Sequence, residues 1–358
     1  MQRYIKQILK EYLDIAYRHR EKLQIILVCN VDGLTVDDVD YSGDSIRSEY
    51  LTLHQYNKIL SSLRQEGFDV LSYFDESEFM NDVISKRCEG IGEKRLFVLN
   101  SAQKGTKIGR KSLIPAFCDL HDIYYSNSNA YVVSLCRDKY NSGNILENLG
   151  FHVPKSWLYK YPNGWLLKRT PSNGTKVIIK LNYETSSIGL QDSNIFFYDK
   201  SKDILIENMC RKYKQDIIVQ EFIYGYEIEC SFIRSKASVV LPPIGITMNN
   251  SNMLGETILD YNTRKNHPYT FYNVMESLPQ IVPAIQKGTI QVGDALNISG
   301  LGRIDYRITP QHQFYITDVA TNPGYGDFSS TYYVFEKLGF TYSEMLIILI
   351  GVSLGKYV

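Results

Sequence analysis

"GLGRIDYRITPQHQFYITDVATNPGYGDFSS", residues 300–330, sets two β-branched and aromatic runs on either side of a short polar turn. That pattern predicts two neighbouring strands. Asp305 falls on the first and Asp318 on the second. Paired carboxylates on adjacent strands suit Mg2+, which takes one or two of them and completes its shell with substrate phosphates. Arg303 lies two residues before Asp305, so both side chains share one face of the strand. A guanidinium in that place can stabilise a developing oxyanion. "NPGYG" then supplies a tight turn with free N–H groups. A charged sheet face would carry the same residues.

Two earlier stretches bear on this one. In "IIKLNYETSSIGL", residues 178–190, a β-branched run delivers Lys180 into a loop of small hydroxyls closed by Gly189. Such a loop lets backbone N–H groups approach phosphate oxygens while the lysine supplies charge. The P-loop spacing GxxxxGK[ST] is absent, and a solvated turn reads the same way. In "IVQEFIYGYEIECSF", residues 218–232, a strand reaches a turn at Gly225 and a second strand carries Glu227 and Glu229. With Gln220 and Glu221 before the turn, this hinge can offer amides and a carboxylate to a base and a ribose. An ordinary hairpin with exposed acids is the alternative.

Around these stretches, a chain of 358 residues predicts two or three domains. Its 39 basic and 39 acidic residues cancel, so no global field favours nucleic acid or an anionic membrane. The 28 tyrosines could stack bases, but no basic stripe accompanies them. Cys29, Cys88, Cys118, Cys136, Cys210 and Cys230 form no CxxC pair and sit beside apolar residues, which predicts buried thiols. The start of the chain is charged throughout, and no apolar run reaches the ~20 residues of a membrane span, so a cytoplasmic protein is expected. "EMLIILIGVSLG", residues 344–355, reads as a buried terminal helix.

Strand, helix and strand alternate over about the first 125 residues, as in an open parallel sheet. Beyond Pro154 come short strands divided by turns, hence antiparallel sheet. The expected division is a helical extension over 1–22, an α/β domain over 23–137, and two further units over 138–224 and 225–358.

In order and spacing, the three stretches together resemble the ATP-grasp superfamily and, within it, the D-alanine–D-alanine ligase family, over roughly residues 45–350. "KLNYETSSIG" is similar to the family's K-P-x-x-x-G-S-S-x-G, "QEFIYGYE" to E-x-x-I-x-G-x-E, and "GLGRID" with "DVATNPG" to G-x-x-R-x-D and E-x-N-x-x-P-G. "DKYNSGNILENLGFHVPKSW" resembles the segment opening the central domain, and "DYNTRK" at 260–265 the lid loop. The resemblance implies an ATP-grasp fold: an open parallel α/β domain followed by two α+β subdomains that sandwich ATP. It implies that Lys139, Lys180, Glu184, Ser186, Ser187 and Arg264 meet the phosphates. Gln220, Glu221 and Ile223 would line the adenine slot, and Glu227 would take the ribose. Asp305, Asp318 and Asn322 would hold Mg2+ or Mn2+. Arg303, the N–H of Gly324 and Ser186 would serve the reaction, in which ATP turns a carboxylate into an acyl phosphate for attack by an amine.

Departures from the family pattern accompany the matches. Ala320 stands where the family has a metal-binding Asn, Asp318 shortens its Glu, Thr185 replaces the loop glycine, Gln220 an acid and Lys265 a tyrosine. The N-terminal glycine-pair-and-glutamate signature is absent, with Glu49 as a candidate substitute. These changes point to a small-molecule amino acid or carboxylate substrate other than D-alanine. A nucleotide binder without ligase activity, and a ligase acting on a carrier protein or peptide, are the other readings. A homodimer is loosely expected.

Overall fold

The computed structural model describes residues 2–36, 40–41, 44–86, 94–266 and 268–358, without the side chains of residues 264 and 265. Cys88 and the Arg264 side chain therefore lie outside the described residues. Three sheets follow one another along the chain. The first holds β1 (Leu23–Cys29), β2 (Asp69–Tyr73), β3 (Arg95–Ser101) and β4 (Tyr124–Tyr125), all parallel, in the order β2-β1-β3-β4. β1 is "LQIILVC", aliphatic on both faces, as a strand covered on both sides requires. After α1 (Gln2–His19) come α2 (Leu53–Gln65), α3 (Glu76–Ile84) and α4 (Leu113–Leu120). Thr52 and Gln55 close a capping box at the start of α2, and Gly67, at φ +80°, lets the chain leave it.

After α5 (Ala130–Arg137) and α6 (Lys139–Asn148), the second sheet is antiparallel. It contains β5 (Ser156–Lys160), β6 (Gly164–Trp165), β7 (Lys176–Leu181), β8 (Ile195–Phe197) and β9 (Ile217–Glu221), ordered β6-β5-β9-β7-β8. α7 (Asp203–Tyr213) covers it with Ile206, Met209 and Cys210. The third sheet holds β10 (Tyr226–Arg234), β11 (Ser238–Val240), β12 (Ile244–Met248), β13 (Tyr269–Asn273), β14 (Gly300–Ile308) and β15 (Phe314–Ala320). Its order is β13-β12-β10-β14-β15, with β11 also paired to β10. The short helices α8 (Tyr261–Asn266) and α9 (Val274–Ser277) flank β13. α10 (Val282–Ala295) packs Ile285 and Val292 against Phe232, Ile304 and Tyr306. α11 (Ser330–Lys337) and α12 (Tyr342–Leu354) complete the described elements.

α12 is apolar all round and buried along its length, as a helix without a solvent face must be. α1 carries one apolar stripe, and its buried Ile5, Leu9 and Ala16 lie in the same core as α12. A Cβ at Gly351 would come within 1.9 Å of the Tyr12 carbonyl oxygen, so glycine permits this close approach. The N-terminal helix, read from sequence as an extension, is thus part of a core shared with β1, β3 and α12. Among the described residues, no single helix is long and apolar enough to cross a membrane. The five described cysteines are free and buried.

Candidate active site

A cavity of about 860 Å3 opens where the three sheets approach one another. Its wall takes residues from the loop after β7, the β9–β10 crossing, the ends of β14 and β15, the start of α6, and the loops of the first sheet. At one end, Lys180 leaves β7 and its Nζ donates to Gln220 Oε1 at 3.2 Å, while Gln220 Nε2 donates to Ser156 Oγ at 3.3 Å. Burial pushes the Lys180 amine down, against the pull of Asp318 and Glu227. Lys139 opens α6 behind its N-cap, Asp138. Its Nζ donates to the Glu184 carbonyl at 2.7 Å and lies 3.4 Å from Asp318 Oδ1.

The hydroxyl loop lines the same cavity. Ser186 and Ser187 hold φ of 53° and 56°, left-handed values that residues other than glycine seldom adopt. Ser187 Oγ donates to the Leu259 carbonyl, and Tyr261 N–H donates to the Leu190 carbonyl at 3.1 Å. The loop is therefore tied to the segment before α8. Glu184 departs from expectation. Its carboxylate accepts from Arg110 at 2.6 Å, Arg137 at 3.1 Å, Tyr41 at 2.8 Å and Gln215 at 3.3 Å, and it is 2% exposed. With its oxygens occupied by those donors, the side chain is closed to a nucleotide; only the Glu184 carbonyl serves this end, by holding Lys139.

At the crossing between sheets, Gln220 is buried, Glu221 exposed and Ile223 on the cavity wall. Glu227 pairs with Arg307, which also donates to the carbonyls of Gly225 at 3.3 Å, Gly255 at 3.2 Å and Thr257 at 2.8 Å. Arg307 was not singled out in the sequence. Its signal is the spacing of four from Arg303, which puts both on one face of β14.

The acids and Arg303 assemble by register. Glu229, Asp305 and Asp318 stand side by side on β10, β14 and β15, and Arg303 lies beside Ala320. The β14–β15 ladder shifts between Asp305 and Tyr306, a bulge of the kind that re-aims side chains next to a site. Arg303 grips both Asp305 oxygens, at 2.6 and 2.8 Å, and reaches Glu229 at 3.0 Å and Ser330 Oγ at 3.3 Å. Burial raises the Asp305 carboxyl, with Glu229 and Asp318 adding to the shift and Arg303 opposing it. Burial also acts against the Arg303 charge, but Asp305 and Glu229 outweigh it. For Asp318, burial is overcome by Lys139, Lys180 and Arg303, which hold it below the usual carboxylate range. A Cβ at Gly324 would meet nothing within 4 Å, so this turn faces open space on the cavity wall.

Asp305 and Asp318 supply the hard oxygen donors a magnesium ion needs, and substrate phosphates can supply others. Ala320 offers no donor. Asn322 does not complete the set: its Oδ1 accepts from Asn127 Nδ2 at 2.5 Å and its Nδ2 donates to the Asn100 carbonyl at 3.1 Å. These bonds hold the turn against the first sheet. No group of three or more His, Cys, Asp and Glu among the described residues has a metal-binding arrangement. The fit is thus to a metal with two protein carboxylates.

A second charged centre lies on the other side of the hydroxyl loop. Glu49 accepts from Thr185 N at 3.1 Å and from Thr185 Oγ1, and meets Arg110 at 3.2 Å, Lys111 at 3.5 Å and Arg137 at 3.6 Å. Burial opposes its ionisation, but Lys111, Arg137 and Arg110 prevail and bring its pKa to about 2. Glu49 therefore reaches the loop. The three cations around it were not expected, although "GRKS" at 109–112 marks a basic pair just before α4.

Comparison with known proteins places these features in context. Residues 155–351 match the family model described as D-ala D-ala ligase C-terminus. The D-alanine–D-alanine ligase of Buchnera aphidicola is 24% identical over 304 residues, covering 82% of this chain and 92% of that protein. Among solved structures, the D-alanine–D-alanine ligase of Bacillus anthracis complexed with ATP superposes with a TM-score of 0.69 at 20% identity, covering 92% of this chain and 97% of that one. The VanG D-Ala:D-Ser ligase of Enterococcus faecalis gives 0.63 at 16% identity, covering 93% and 99%. The fold is that of the ATP-grasp ligases, a parallel α/β sheet followed by two antiparallel sheets with helices.

Proposed function

Since the chain belongs to the D-alanine–D-alanine ligase family, we propose that it is an ATP-dependent, ADP-forming carboxylate–amine ligase. The observation that carries this reading is the convergence of Lys139, Lys180, Asp305, Asp318, Arg303 and Gly324 on one cavity. A protein that only binds nucleotide has no use for an arginine and an open glycine turn beside the phosphate end.

In this reading Lys139 and Lys180 bind the ATP phosphates, with Gln220 holding the Lys180 amine in place. Ser186 and Ser187 close over them. Gln220, Glu221 and Ile223 border the base, and Glu227, steadied by Arg307, takes the ribose. Arg264 belongs to the same assignment by its place in α8. Asp305 and Asp318 hold magnesium, which when bound neutralises charge on the transferred phosphoryl group. A substrate carboxylate oxygen attacks the γ-phosphorus and ADP leaves. The amine nitrogen then attacks the acyl carbon, phosphate departs with the C–O bond electrons, and the nitrogen gives up one proton to the departing phosphate. Arg303, oriented by Asp305 and Glu229, and the Gly324 N–H face the oxyanion of that second step. The tie between the loop and the segment before α8 excludes water from the acyl phosphate.

The changed N-terminal loop and the "PGYGDFSS" turn favour a substrate pair other than two D-alanines. Ala320, with Asn322 engaged elsewhere, favours a second reading, nucleotide binding without ligation. The test is ADP release from the protein with Mg2+-ATP against D-alanine, the L-amino acids and small carboxylates, singly and in pairs. Release that needs one acid and one amine is expected. AMP as product, or saturable ATP binding without turnover on any pair, would remove the ligase assignment.

A further inference from the structure

The charged centre beside the hydroxyl loop has a sign. Arg110, Lys111 and Arg137 face Glu49 and Glu184, three basic groups against two carboxylates, which leaves one positive charge when Lys111 is protonated. The two glutamates and two arginines have side chains at most 4% exposed, whereas Lys111 is 23% exposed and lies on the cavity wall. Its ammonium donates to Thr185 Oγ1 at 2.9 Å and stands 3.5 Å from Glu49, which leaves donor capacity unused. Arg137, buried in the same cluster, has Nε and Nη1 without a hydrogen-bond partner among the described residues. Buried donors of a charged group left unpaired are unfavourable, so the cluster around Lys111 is short of acceptors.

We infer that this end of the cavity receives a second anionic group of the substrate, so that the acyl donor is a dicarboxylate or an amino-dicarboxylate whose distal carboxylate meets Lys111. The inference rests on the ligase reading for the fate of the other carboxylate, which goes to the reacting end at Arg303 and Gly324. An ammonium group is disfavoured here, because Glu49 is already surrounded by three cations. The state of Lys111 agrees with an anion. Burial and then Arg137 bring its pKa down to about 7 despite Glu49 and Glu184, with Arg110 also lowering it. A bound carboxylate would favour the charged form, so binding should weaken as pH rises through about 7.

The test is calorimetric titration of the protein with Mg2+ and a non-hydrolysable ATP analogue present. The probes are glutarate against valerate, glutamate of either hand against alanine, and succinate against butyrate. At least ten-fold tighter binding of the dicarboxylates is expected. The preference should vanish in Lys111→Gln, survive in Lys111→Arg, and decline between pH 6 and pH 8 in the unaltered protein. Equal binding of mono- and dicarboxylates, a preference for alanine, no binding of any probe, or a preference that survives Lys111→Gln would overturn the inference. ADP release is read separately. Dicarboxylate binding without ADP release would remove the ligase reading and leave the anion site standing. ADP release only with neutral amino acids would do the reverse.

Discussion

At the scale of single residues, Asp305 and Arg303 form one unit. Asp305→Ala should lower ATP turnover by at least about 10³-fold, because it removes a magnesium donor and the group that orients the arginine. Arg303 keeps Glu229, so far-UV circular dichroism should stay unchanged, and unaltered turnover would cancel the metal assignment. Glu49 gives a prediction about pH. Its folded pKa of about 2 lies below the usual 4.5, so its ionised form stabilises the fold. That contribution is complete above about pH 4.5 and is lost as pH falls to about 2. Urea midpoints of the protein and of Glu49→Gln should therefore differ at neutral pH and converge near pH 2. Lys180, Asp305 and Asp318 could be picked out in the sequence because each sits within a short motif whose spacing carries meaning. The Glu49–Glu184 cluster could not, since Glu49, Arg110, Arg137 and Glu184 come from four separate segments and meet only in the fold. That is why Glu184, inside a loop that reads as phosphate-binding, belongs instead to a buried ion-pair network.

Single elements were mostly readable, and their relations less so. The parallel sheet of the first 125 residues and the uniformly apolar, buried α12 both follow from local pattern. What α1 covers could not be read from its stripe, because any apolar surface satisfies a stripe. The contact with α12 is set by shape. Gly351→Ala would force a Cβ against the Tyr12 carbonyl, and overpacking of this kind costs about 1–3 kcal/mol. A lower urea midpoint is expected, measured beside the affinity for ATP, which should hold because the cavity lies elsewhere. A midpoint equal to that of the unaltered protein would mean that the two helices can separate at no cost.

Over the whole molecule, the cavity draws its walls from all three sheets, so a ligand there bridges all of them at once. Mg2+-ATP at 100 times its Kd should add about 2.7 kcal/mol to stability. Differential scanning calorimetry should show the melting temperature rise, and a chelator should remove most of the rise if Asp305 and Asp318 hold the metal. The shared core of α1 and α12 bears on how the chain is made. During synthesis α1 leaves the ribosome well before α12, which shares a core with Ile5, Leu9 and Ala16 and begins only at Tyr342. Until then the apolar stripe is bare, a natural target for a chaperone. The first sheet thus gains this cover only once α12 has been made, and a chain cut before Tyr342 would leave Ile5, Leu9 and Ala16 without it.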